Sequence, residues 1–222
     1  NYFDFRKEVL LPHKMSQLGP FISKGDVNKD GLEDFYISGA SGQSGALYIQ
    51  TKTGFELSTN QPWDNNIQNE ELGSVFIDFD NDKDLDLYVV NGSNEELSEQ
   101  DVLYINDGNG KFSVSKSGIP KTSSGQVVKV FDYDNDGWMD LFVPGRQVGG
   151  NYPKAPKSSI LKNEKGVFID VTKDIALEFE KIGMVTDILF FDYDNDEDKD
   201  LIVVGEWMGV TFFNFNKGKF NL

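Results

Sequence analysis

Short runs of β-branched and aromatic residues recur along the chain, and each opens at an aspartate. They are Asp34-Phe-Tyr-Ile-Ser-Gly39, Asp86-Leu-Tyr-Val-Val90, Asp140-Leu-Phe-Val-Pro144 and Asp200-Leu-Ile-Val-Val-Gly205. Runs of this length and composition predict strands rather than helices. A short apolar stretch precedes each one, at 20–23, 74–77, 127–131 and 188–191. A third strand is predicted at 46–50, 102–106, 159–162 and 210–213, and a fourth opens at Phe55, Phe112, Phe168 or Phe220. Asn106-Asp-Gly-Asn-Gly110 is a hairpin signal between the last two strands of the second unit. The one helical candidate, 170–181, falls between units and reads as a connection with a helical turn.

Between the first and second strand of every unit lies the same nine-residue pattern. The four windows are 26–34, 78–86, 132–140 and 192–200, and their first aspartates are 52, 54 and 60 positions apart. Four antiparallel strands in a unit of about 50 residues describe a blade of a β-propeller. A sandwich with regular strand spacing is the rival all-β reading, but it gives no reason for one acidic loop to recur at one place in every unit. The expected architecture is therefore all-β, a propeller of four-stranded antiparallel blades filling 1–222. The blades fall at about 19–58, 72–116, 125–171 and 185–222, after a lead-in segment at 1–18.

Charge sharpens this picture. The 222 residues hold 37 acids and 21 bases, for a formal net charge of −16. The four windows carry 19 of those acids, so the acidity belongs to four loops and not to a general solvated surface. No basic patch offsets it, which argues against nucleic acid and anionic membranes as partners. No apolar run reaches the roughly 20 residues of a membrane span, so direct membrane insertion is not expected. Cysteine is absent and His13 is the one histidine, which excludes disulfides, thiol catalysis and multi-His metal centres. Without a second such ligand, His13 is expected to be packed or hydrogen-bonded. No Gly-x-Ser-x-Gly elbow and no phosphate-cradling loop before a helix is present, so catalysis is not expected.

Side-chain oxygens at positions 1, 3, 5 and 9 of a tight loop converge on one point, where a backbone carbonyl from position 7 can join them. That is a hard-cation site, and calcium suits it better than magnesium, which keeps its waters. An EF-hand needs a glutamate at position 12, but Ile37, Val89, Val143 and Val203 stand there. Dockerin-like loops fail in the same way, and thrombospondin-like repeats need cysteines.

The pattern Asp-x-Asp-x-Asp-Gly-x-x-Asp-Leu, set between two strands of a blade, resembles the FG-GAP/VCBS repeat of integrin α-subunits and many bacterial surface proteins. Residues 10–20, 25–28 and 204–208 resemble more narrowly the bacterial ASPIC/UnbV, or cartilage-acidic-protein-like, VCBS proteins. The resemblance implies about four calcium ions. It implies side-chain ligands Asp26, Asn28, Asp30 and Asp34; Asp78, Asp80, Asp82 and Asp86; Asp132, Asp134, Asp136 and Asp140; and Asp192, Asp194, Asp196 and Asp200. Leu32, Asp84, Trp138 and Asp198 would offer backbone carbonyls. Position 6 is expected to be left-handed, which suits Gly31 and Gly137 but not Lys83 and Glu197, so the second loop is expected to be the weakest. Integrin-like propellers have seven blades, so the four repeats are expected to be an arc of a larger ring.

Blade topology sends the acidic loops to one face and the second-to-third connections (40–45, 91–101, 145–158 and 206–209) to the other, with the blade-to-blade segments at 58–72, 116–125 and 171–185. Variable loops on a rigid scaffold are where binding concentrates. The 145–158 loop brings bases into an acidic chain, and Arg146, Tyr152, Lys154 and Lys157 are its candidate partner contacts. Trp63 and Trp207 are candidates for stacking on a sugar or, alternatively, for packing between blades. The resulting expectation is a calcium-stabilised interaction module on a bacterial cell surface, where extracellular calcium would fill such loops. Its partner would be a protein or a glycan, and it would serve as an accessory subunit of an outer-surface assembly. The alternative is the propeller domain of a polysaccharide lyase or hydrolase.

Overall fold

The structure is a computed structural model that describes residues 3–92 and 100–222. The described strands form four four-stranded antiparallel sheets, each built from consecutive strands. The first blade is β1 (Ile22–Gly25), β2 (Asp34–Ile37), β3 (Ala46–Thr51) and β4 (Gly54–Leu57). The second is β5 (Glu71–Ile77), β6 (Asp86–Asn91), β7 (Val102–Asn106) and β8 (Phe112–Val114). The third is β9 (Lys129–Phe131), β10 (Asp140–Val143), β11 (Ser159–Asn163) and β12 (Phe168–Asp170). The fourth is β13 (Met184–Phe191), β14 (Asp200–Glu206), β15 (Thr211–Asn216) and β16 (Lys219–Asn221). This is a propeller-like arrangement.

Helical structure is confined to connections and the lead-in. A four-residue α1 (Asp4–Lys7) and a 3₁₀ turn (Met15–Gln17) precede the first blade. The segment between the third and fourth blades holds α2 (Thr172–Ile175) and a second 3₁₀ turn (Leu177–Lys181), as the helical candidate predicted. No helix among the described residues is long and apolar enough to cross a membrane. Most of the expected 91–101 connection lies outside the described residues.

Most of the core lies in the three spaces between successive blades, with a smaller cluster of Leu11, Met15 and Met184 beside the lead-in, and the period of two along each strand explains the three. The residue after each loop-closing aspartate points back to the preceding blade, and the next one points forward. Thus Leu87 packs with Tyr36, Leu47 and Trp63, while Tyr88 packs with Leu141, Leu161 and Phe168. In the third blade Leu141 faces back and Phe142 faces forward, onto Leu201, Val203 and Phe213. Trp63, from the connection between the first two blades, lies edge-on to Tyr36 and Tyr104 and fills the first interface.

Two buried acids reinforce the interfaces at the ends away from the acidic loops. Glu71 Oε2 accepts from Tyr36 Oη at 2.7 Å and from the Gly39 backbone N–H at 2.8 Å, joining the first two blades. Gly45 makes room for this bond, since a Cβ there would lie 1.9 Å from Tyr36 Oη. In the second blade Asp101 Oδ2 accepts from Tyr88 Oη at 2.7 Å and from Thr122 Oγ1 at 2.8 Å.

Among the described residues, the outward faces of the first and fourth blades have no such partner. The phenylalanine that opens each fourth strand occupies an equivalent place, yet Phe112, Phe168 and Phe220 are 5%, 4% and 2% exposed while Phe55 is 51% exposed. Leu57, beside Phe55 on the same face, is also exposed. The fourth blade shows the converse. Leu189, Phe191 and Phe212 point forward from it and are exposed.

Candidate metal centres and the opposite face

Each acidic loop is folded by its own carboxylates. Position 1 accepts from the backbone N–H of position 6 in all four loops: Gly31 to Asp26 at 2.8 Å, Lys83 to Asp78 at 3.1 Å, Gly137 to Asp132 at 2.9 Å and Glu197 to Asp192 at 3.2 Å. Position 5 accepts from the N–H of position 7, so Leu32, Asp84, Trp138 and Asp198 are held through their backbones. Position 6 is left-handed throughout, at φ 85°, 71°, 87° and 75° for Gly31, Lys83, Gly137 and Glu197. Position 4 is left-handed as well, at Lys29, Asn81, Asn135 and Asn195. Asparagine tolerates that conformation better than most residues, which explains its recurrence there.

The ninth aspartate has a second task that the spacing did not disclose. Asp34, Asp86, Asp140 and Asp200 are fully buried. One oxygen of each accepts from the backbone N–H of position 2: Val27, Phe79, Tyr133 or Tyr193. The other accepts at 2.8 Å from the third strand, from the N–H of Gln50, Asn106, Asn163 or Phe215. Each ninth aspartate therefore stitches its loop to the sheet, and any metal bond it makes must use remaining lone pairs. Burial pushes the carboxyls of Asp86 and Asp140 up to about 7.

Among the described residues, three trios bring carboxylate oxygens within 4.8 Å of one another: Asp78, Asp80 and Asp82; Asp132, Asp134 and Asp136; and Asp192, Asp194 and Asp200. In the first loop Asn28 replaces one acid, and its Oδ1 accepts from Asp30 N–H at 3.1 Å. The donor set fits a hard divalent cation: oxygen ligands, several charges and a tight turn. Asp78 Oδ1 and Asp134 Oδ1 are buried without a hydrogen-bond partner, so each has coordination capacity to offer an ion. Burial and the charges of Asp82 and Asp78 push the Asp80 carboxyl up, as expected where acids crowd one point.

The loops are unequal, and in two ways. Position 5 donates its N–H to position 1 in the first, third and fourth loops, at 3.1, 3.1 and 3.2 Å. Among the described hydrogen bonds the second loop has no counterpart, and there Asp78 Oδ1 stands unpaired. In the third loop the Lys162 ammonium pairs with Asp134 and lies 3.2 Å from Asp136. Its place on β11 corresponds to Asn214 on β15, whose Nδ2 donates to Asp194 Oδ2 at 2.6 Å. Sequence reasoning missed both contacts, although the third strand's position just before its loop-facing N–H donor marks them.

The opposite face corrects one expectation. Arg146 is not an exposed anchor: it is 1% exposed, donating through Nε to Gln126 Oε1 at 2.9 Å and through Nη2 to Glu206 Oε1 at 2.7 Å. A buried guanidinium needs a carboxylate, and Glu206 at the end of β14 supplies it, so the pair clamps the third blade to the fourth. Lys157 is likewise paired with Asp170. Lys154 is exposed and Tyr152 partly so. His13 Nε2 lies 3.5 Å from Glu206 Oε1. Trp63 is buried between blades, but Trp207 is exposed.

Antiparallel four-stranded blades with a recurrent acidic loop define the class of repeat-built, propeller-like proteins. The sequence matches the FG-GAP-like repeat family over residues 26–89 and 78–143, more than half of the chain, and the protein belongs to that family. Among solved structures it resembles a lectin of Agrocybe aegerita, described for its specific recognition of non-reducing terminal N-acetylglucosamine. The TM-score is 0.55 and the identity 18%, with 91% of this chain and 50% of that chain covered. The likeness is one of fold, and the chain spans about half the length of that protein. Among curated proteins, none matches the sequence.

Proposed function

We propose that the protein is a calcium-stabilised, cell-surface interaction module that binds a protein or glycan and has no catalytic activity of its own. The carrying observation is the four acidic loops in register, three with carboxylate trios able to take a cation. Calcium bound there would fix the loop ends of all four blades. The opposite face would then present longer, dissimilar loops on a rigid frame, where binding concentrates. The lectin's sugar recognition makes a glycan the favoured partner class.

The apolar outer faces carrying Phe55 and Phe191 support a further part of this reading, that the four blades are an arc of a larger, seven-bladed ring. The 10–20, 25–28 and 204–208 motifs support kinship with the bacterial ASPIC/UnbV group and a role as accessory subunit of an outer-surface assembly. Extracellular modules bind calcium at roughly 10⁻⁴ to 10⁻³ M, which favours a location outside the cytoplasm.

Native mass spectrometry with and without calcium, joined to glycan capture under the same two conditions, tests the proposal. About four bound ions and calcium-dependent capture are expected. Absence of bound calcium, or turnover of a polysaccharide by the pure protein, would overturn it.

A further inference from the structure

The indole of Trp207 is 75% exposed, yet it is not loose. Its backbone lies at φ 58°, so the turn between β14 and β15 aims it outward. Its Nε1 donates a 2.6 Å hydrogen bond to Tyr152 Oη. Tyr152 is held from two further directions. Its backbone N–H donates to Glu8 Oε1 at 2.8 Å, and its ring packs against the cluster of Leu11, Met15 and Met184. Beside it opens a groove of about 180 Å³, lined by Glu8, Val9, Leu10, Gly150 and Tyr152. The lead-in, the third blade's long loop and the fourth blade's turn thus meet in one place.

The chemistry of this place is specific. Two aromatic rings locked by a hydrogen bond offer apolar surface at small entropic cost to a ligand. Tyr152 Oη accepts from Trp207, which leaves its own O–H to donate outward. Val9 and Leu10 present exposed aliphatic walls. Glu8 supplies a carboxylate that accepts from hydroxyls. A pyranose ring matches this set, with C–H faces for the aromatics and hydroxyls that both donate and accept. An anionic sugar would meet the Glu8 carboxylate, a like charge. A cationic head group would leave the tyrosine O–H without an acceptor. The groove is also smaller than the roughly 300 Å³ at which pockets for drug-sized ligands begin, which suits one ring.

We propose that Trp207, Tyr152 and Glu8 form a subsite for a single neutral sugar ring at the end of a glycan. The inference rests on the glycan branch of the interaction-module reading and assigns it a location. Neither Lys154 nor Lys157 takes part, and Arg146 acts only as the clamp that fixes Glu206 beneath the turn.

The test is capture by the calcium-loaded protein on an array of neutral-terminated and acid-terminated glycans, with choline as a cationic probe. Saturation-transfer NMR with the methyl glycoside of each terminal sugar that binds then follows. Neutral-terminated glycans are expected to bind. Trp207→Ala and Leu10→Lys, both at exposed side chains, should each weaken binding tenfold or more without changing calcium content or melting temperature. Binding confined to acid-terminated glycans or to choline would overturn the subsite. Undiminished binding by Trp207→Ala would overturn its placement while leaving glycan binding intact. Capture of a protein partner with no glycan bound would overturn the subsite and leave the interaction module standing.

Discussion

Asn163 in the third blade donates through Nδ2 to the backbone carbonyl of Phe79 in the second, at 2.8 Å. Its own backbone N–H donates to Asp140 Oδ1, so one residue joins an acidic loop, a strand and the neighbouring acidic loop. Asn106 repeats the arrangement one blade earlier, donating to the carbonyl of Val27 at 2.8 Å. The first three acidic loops are thus chained to one another through asparagines at the ends of third strands, whereas Phe215 holds that place in the fourth blade.

Replacing Asn163 with leucine should cost about 1–3 kcal/mol, because the buried Phe79 carbonyl loses its donor. Urea unfolding of the variant measures this. An unchanged midpoint would show that the link carries no stability.

The outer face of the first blade is the same surface as the three filled ones carrying Phe112, Phe168 and Phe220, without a neighbour among the described residues. Phe168→Ala should cost about 3–5 kcal/mol. Phe55→Ala, at the equivalent but half-exposed place, should cost well under half as much. Denaturant unfolding of the pair decides it, and equal losses would contradict the interface account.

The Lys162 ammonium competes with any cation in the third loop. Lys162→Met should raise calcium affinity there several-fold, read by calorimetric titration against the native chain. Lower or equal affinity would show that Lys162 does not oppose the ion.

Asp101 gives a pH signature separate from the acidic loops. Burial pushes its carboxyl up to about 7, from the ordinary 3.8 of an aspartate. Between those values the folded state holds a proton that the unfolded state has released. Its contribution to stability is therefore greatest below about pH 4 and is lost as pH rises to about 7, by up to about 4 kcal/mol. The difference in melting temperature between Asp101→Asn and the native chain should move in the variant's favour over that window. A constant difference would contradict the assignment.

Most of the fold was legible because the repeat exposes it. Four loops in register, each followed by an alternating strand, fix blade, strand order and facing, and Leu87 and Tyr88 show how adjacent residues serve opposite interfaces. Side-chain partners between blades were not legible. Arg146 looked like a surface charge because its carboxylate, Glu206, lies 60 residues away in the next blade. Lys162 looked like an ordinary strand residue because the position that marks it, one before the loop-facing N–H donor, is defined only by the bond from Asn163 to Asp140. The spacing suggests a ligand role for the ninth aspartate but does not disclose its buried backbone bonds, which depend on a third strand about 20 residues away.

The central claim is that calcium in the acidic loops holds the blades together. A site occupied at 100 times its dissociation constant adds about 2.7 kcal/mol. The direct measurement is the melting temperature of the native chain in chelator, then in millimolar calcium, with magnesium as the control. The account predicts a large fall in chelator, full recovery with calcium and little with magnesium. A melting curve that ignores calcium would contradict it.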